Sequence, residues 1–164
     1  MVTRKGYSGL QIGLHWLVAA LVLLQFLAAD GIEHAWDAFR DGTAAGDLKL
    51  AYLHIVVGWI IFALVVWRIV VRLSRGGPEL PANEPKLLKI VAHATHGLLY
   101  VILLALPVSG SVAWFLGVTP AAGAHVIGKT VLLVLIGLHV AGALFQHFAL
   151  RSDVLMRMLQ AEPR

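Results

Sequence analysis

The sequence contains no cysteine. That excludes disulfides, thiolate zinc sites, iron–sulfur clusters and thioether-attached haem, and it leaves the redox compartment open. Charge is also scarce: only 13% of the 164 residues are Asp, Glu, Lys or Arg. Hydrophobic residues make up 59%, and mean hydropathy is +0.82. A soluble domain of this length has too little interior to hide so much apolar surface, so the composition points to a membrane protein. The net charge of +4 does not point to nucleic acid, because the basic residues flank apolar stretches instead of forming a patch with interleaved aromatics. No internal repeat or low-complexity tract is evident.

Charge is missing altogether from Gly9 to Ala29 and again between Lys89 and Lys129. A spanning helix takes about 20 apolar residues. The pattern predicts four, over about residues 9–29, 50–72, 90–116 and 125–150, with a short turn around "GVTPAAG" before the last. The expected fold is an all-α, integral membrane four-helix bundle forming one domain over residues 1–164. The first span is too long for a signal peptide and carries His15 and Gln25 with no cleavage pattern behind a short apolar region.

Orientation follows from the connections. Arg4 and Lys5 precede the first span, Arg68, Arg72, Arg75, Lys86 and Lys89 surround the second connection, and Arg151, Arg157 and Arg164 follow the fourth span. The first connection is acidic, with Asp30, Glu33, Asp37, Asp41 and Asp47 against Arg40 and Lys49. The positive-inside rule therefore puts both termini and the second connection in the cytoplasm.

Eight histidines is a high number for such a chain. His125 and His139 bracket the aliphatic run "HVIGKTVLLVLIGLH". Fourteen helical residues rise about 21 Å and return within roughly 40° of the starting direction. The two imidazoles thus share a face, one near the outer surface and one past the middle of the membrane. A single ion cannot use both, whereas two cofactors stacked across the bilayer can. Imidazole is a common axial ligand of haem iron, and facing helices of a bundle can hold each porphyrin. His15 lies about level with His139 and His54 about level with His125, so depth predicts the pairs His15–His139 and His54–His125. For any one of them alone, helix capping or an interhelical hydrogen bond is the plainer explanation. Four that match by depth favour a functional site.

"LQIGLHWLVAALVL", "HIVVGWIIFALVVWRIVVRL", "AHATHGLLYVILLALPVSG" and "GLHVAGALFQHF" together resemble the bacterial cytochrome b-561 family, from about Gly9 to Leu159. The most specific elements are the His-Trp pair at 15–16, WRxxxRL at 67–73, the ALPxxG turn at 105–110 and the fourteen-residue histidine interval. The resemblance implies a small four-helix cytochrome of the bacterial inner membrane with two b-type haems, whose iron ligands fall on His15, His54, His125 and His139. The chain departs from the family pattern in "HVIGK", where Lys129 enters the outer part of the last span.

Other polar residues have expected places around these haems. His93 and His96 share a face near the start of the third span and are candidates to contact a haem propionate or quinone; His96 also rivals His15 as an inner ligand. Arg68 and Arg72 are candidates for the inner propionates, with snorkelling to the interface as the alternative. Lys129 is expected beside an outer propionate or a loop carboxylate, since a lone ammonium is costly in lipid. His34 is expected to be solvated, and His147 is a weaker candidate for carrying protons to quinone.

Two axial imidazoles leave iron no open position, which favours electron transfer. The resemblance implies exchange with ubiquinone or another quinone. It leaves two subtypes: a superoxide oxidase, taking electrons from superoxide at the periplasmic face, and a cytochrome subunit joining a periplasmic dehydrogenase or hydrogenase to quinone. The absence of a soluble domain favours the first; the acidic first connection opposes it unless Lys49, Lys129 and Arg40 form a positive funnel. A haem-free histidine relay for protons or metal is the reading from another class, although the spans contain no carboxylate and no broken helix pair.

Overall fold

The computed structural model describes residues 6–43, 48–78 and 85–161. Its elements are helices: α1 (Gly9–Leu27), α2 (Ala29–Arg40), α3 (Lys49–Arg75), α4 (Lys86–Leu116), α5 (Thr119–Phe148) and a 3-10 turn at Met156–Met158. Among the described residues there is no strand. α1, α3, α4 and α5 are the four long and apolar enough to cross a membrane. Of the residues used for orientation, Arg4, Lys5, Asp47 and Arg164 lie outside the described ones.

Ser8 starts α1 through a capping box, its hydroxyl accepting from the Gln11 amide while the Gln11 side chain accepts from the Ser8 amide. The same Gln11 donates through Nε2 to the Gly76 carbonyl at 2.9 Å, joining the start of α1 to the end of α3. α1 ends at Leu27, two residues short of the expected boundary.

The first connection, expected as an acidic loop, contains a helix. Ile32, Ala35, Trp36 and Phe39 recur at helical spacing and give α2 an apolar stripe opposite Asp30, Glu33 and Asp37. Asp30 in the first turn and Arg40 in the last both suit the helix dipole. Ala35 is buried, and α2 packs against α3.

The ALPxxG segment is not a turn. Residues 105–110 lie inside α4, with Pro107 in its interior. Proline removes one amide donor from the ladder, yet in apolar surroundings an open break would cost more than a continued helix. α4 also begins at Lys86, ahead of the expected residue 90. The turn expected around "GVTPAAG" shrinks to Gly117 and Val118. Gly117 takes the left-handed conformation (φ 65°), and Pro120 fits the first turn of α5, where no amide donor is required. α5 therefore starts six residues before His125 and ends at Phe148.

Backbone packing is closest between α4 and α5, followed by α1 with α3 and α3 with α4; α5 makes no comparable contact with α1 or α3. The buried core is a small layer of Val18 and Val22 from α1, Val57, Ile61 and Val65 from α3, and Leu132 from α5. Large aliphatic side chains such as Leu73, Leu116 and Ile127 point outward, as lipid-facing positions do.

Candidate functional site: two histidine pairs at different depths

On α1, α3 and α5 a histidine sits in line with buried apolar positions. His15 leads to Val18 and Val22, His54 to Val57, Ile61 and Val65, and His125 to Leu132 and His139. This periodicity turns the imidazoles inward at two levels and leaves the valine-rich layer between them. At the inner level the His15 and His139 rings have centroids 6.1 Å apart. At the outer level those of His54 and His125 are 6.3 Å apart. His96 also reaches the inner level, with its ring centroid 4.9 Å from that of His139.

These spacings bear on what the pairs can hold. A metal–imidazole bond is about 2.0–2.1 Å and the ring centre lies ~1.1 Å behind the nitrogen, so two imidazoles sharing one metal in line have centres about 6.3 Å apart. The inner and outer pairs both match that spacing, whereas His96 and His139 are too close to face one metal from opposite sides. Each pair also joins helices whose backbones do not pack together, α1 with α5 and α3 with α5. Nδ1 of His15 and Nδ1 of His54 are buried without a hydrogen-bond partner. Among the described residues no three metal-ligating side chains converge as they would for a bare ion. Two imidazoles across a gap suit a metal whose other ligands come from a planar ring, so the donor set fits haem.

The outer level opens into a cleft with about 1220 Å³ of atom-free space, its mouth included. Glycine makes part of this room. A Cβ at Gly110 would stand 3.0 Å from Cε1 and Nδ1 of His125. His125 Nδ1 lies 2.9 Å from the Leu106 carbonyl and 3.4 Å from Ser109 Oγ. Against a carbonyl Nδ1 must carry the proton, which leaves Nε2 with its lone pair free for a metal. Gln25 Nε2 donates to the His54 carbonyl at 2.8 Å and ties α1 to α3 at this depth.

Ser109 and Gly110 carry no expected role at the site, and Glu33 is expected only as part of the acidic connection. The ALPxxG motif was the available signal for the first two. Nothing local marked Glu33, because its partner lies far along the chain: Lys129 Nζ is 2.6 Å from Glu33 Oε1. Lys129 thus has a carboxylate partner, supplied by α2 instead of a loop.

Arg68 is half-buried, lies 5.8 Å over the Tyr100 ring and is close enough to act electrostatically on His15, His96 and His139. Arg72 is exposed one turn further on. His93 Nδ1 and His96 Nδ1 each meet the carbonyl four residues back, Lys89 at 2.7 Å and Ala92 at 2.6 Å. His93 and His34 are exposed, and His147 is half-buried near the end of α5 with Nδ1 unpartnered.

Residues 6–161 match the family described as prokaryotic cytochrome b561. The chain belongs to this family. It is accordingly a membrane cytochrome b that carries b-type haem and transfers electrons. It is 36% identical to cytochrome b562 of Cereibacter sphaeroides, over 98% of this chain and 99% of that protein. It is also 27% identical to the probable superoxide oxidase CybB of Yersinia pestis, over 95% of this chain and 97% of that protein. Cytochrome b561 homolog 1 of Escherichia coli K12 is 26% identical over 93% of this chain and 96% of its own length.

Proposed function

We propose that this cytochrome carries electrons across the bacterial inner membrane between two b haems, the inner held by His15 and His139 and the outer by His54 and His125. The observation that carries the reading is the repeated ring spacing, 6.1 Å and 6.3 Å, at two levels about 21 Å apart along α5. The haems, when bound, supply the one-electron iron couple. The protein does the rest. His15 with His139 and His54 with His125 would hold the haems and would leave the iron no free position for oxygen chemistry. Val18, Val22, Val57, Ile61, Val65 and Leu132 separate the levels and keep water out. The basic connections keep both termini in the cytoplasm, so the His54–His125 level faces the periplasm.

Electrons leave to a quinone, ubiquinone or another. Superoxide as the outer donor is supported by the relative named a probable superoxide oxidase. Two superoxide ions then each lose one electron and leave as dioxygen, while one quinone takes up two electrons and two protons. The proposed positive funnel is weak, however. Lys129 is paired with Glu33 at 2.6 Å, and Arg40 stands 4.0 Å from Asp37. Superoxide is therefore expected to reduce the outer haem at a rate that changes little with ionic strength; a rate falling steeply with salt would restore the funnel. The reading as a whole is tested by a reduced-minus-oxidised spectrum with a pyridine haemochrome assay on purified protein. Two haems per chain are expected. A folded preparation from haem-replete cells that contains one or none would overturn it.

A further inference from the structure

An ion pair joins two helices in the lining of the outer cleft. Lys129 belongs to α5 and Glu33 to α2, and both line the cleft that holds His54 and His125. Lys129 follows His125 by four residues and so stands about 6 Å along the axis on nearly the same face. Glu33 lines the cleft together with Ile32 and Trp36 of the same helix, at the flank of its apolar stripe. Both charges act on His54.

We propose that Glu33 and Lys129 set the reduction potential of the outer haem as an opposed pair, Glu33 cancelling the field that Lys129 alone would impose. This rests on His54 and His125 being that haem's ligands. Reduction lowers the positive charge at iron by one, so a nearby cation favours the reduced form and a nearby anion the oxidised form. With both present the two fields largely cancel. Removing either leaves the other uncompensated, and the two single substitutions act in opposite directions.

At an effective dielectric of about 20, a unit charge ~10 Å from a redox centre changes the reduction equilibrium by about tenfold. Lys129 is 36% exposed and Glu33 55%, so solvent screens part of that field. A change between about threefold and tenfold is expected for each single variant, tenfold being 59 mV for a one-electron couple. The inner haem, whose ligand His139 is about 21 Å further along α5, should change by less than about twofold.

The test is a redox titration of the purified holoprotein as wild type, Glu33→Gln, Lys129→Met and the double variant. Glu33→Gln should raise the outer potential, Lys129→Met should lower it, and the double variant should return near wild type. Should Met at 129 impair haem binding, Lys129→Gln gives the same sign test. Two single variants moving in the same direction would overturn the proposal, because they would mark the pair as a mechanical strap whose loss admits water. A silent Glu33→Gln beside a lowered Lys129→Met would also overturn it, since Lys129 would then answer to a carboxylate of the haem itself. Loss of the outer haem from Glu33→Gln would have the same consequence. Failure of the underlying ligand reading looks different: the outer haem would survive in His54→Ala.

Discussion

The outer and inner histidine pairs have nearly the same spacing and quite different surroundings. The outer pair lies beneath α2, beside the Glu33–Lys129 ion pair, with the ring of His125 fitted over Gly110 and anchored on the Leu106 carbonyl. Its charged neighbours cancel. The inner pair has a third imidazole, His96, against it and Arg68 within electrostatic range. Among the described residues no carboxylate pairs with Arg68. One bundle thus offers two similar sites, one electrically balanced and one cationic, and the difference lies in what stands around the ligands. Under the proposed haem assignment, the cationic surroundings make the inner site the better electron acceptor, and electrons are expected to pass from the His54–His125 level to the His15–His139 level.

Removing ligands tests that comparison most strongly. His15→Ala or His139→Ala should each remove the inner haem and halve the haemochrome yield. His54→Ala or His125→Ala should remove the outer haem and leave a spectroscopically different remainder. His96→Ala should retain both haems, because its ring is too close to His139 for the two to bind one iron from opposite sides. Loss of a full equivalent from His96→Ala would instead make α4 a ligand donor.

A smaller effect separates the two sites by packing. Gly110→Ala places a methyl group 3.0 Å from the His125 ring, which has to give by a few tenths of an ångström. The low-spin resonance of the outer haem should shift while that of the inner haem stays in place. An unchanged outer signal would mean that His125 has freedom in its seat, and the contrast between a fitted and an open site would fail.

The mildest perturbation addresses charge. Arg68→Met should lower the inner potential by the equivalent of about threefold to tenfold in the reduction equilibrium and barely move the outer one. Potentials that stay put would mean that water screens Arg68, and the cationic character assigned to the inner site would be lost.

How far the sequence reached can be seen at particular residues. Long uncharged runs made the four spans plain, because a backbone in lipid must satisfy its own hydrogen bonds and a helix does so within one segment. The levels of His15, His54, His125 and His139 were equally readable, since helical rise and rotation depend only on residue number. Pro107 falls inside the expected span 90–116 and, despite the turn-like look of ALPxxG, does not end it, because in lipid an open break costs more than a continued helix. The acidic first connection was read by its charge, although Ile32, Ala35, Trp36 and Phe39 carried a helical period.

The sequence by itself therefore determined the number of spans, their inward faces and the two depths at which imidazoles occur. These are local quantities, set by composition and by the period of one helix at a time. Only the tertiary structure decided which rings meet, that His96 stands too close to His139 to oppose it across a metal, that Gly110 seats His125, and that Glu33 neutralises Lys129. Each of these joins residues on different helices, Glu33 and Lys129 being 96 positions apart. Their distances depend on how neighbouring helices turn and slide against one another, which packing sets and no single helix encodes.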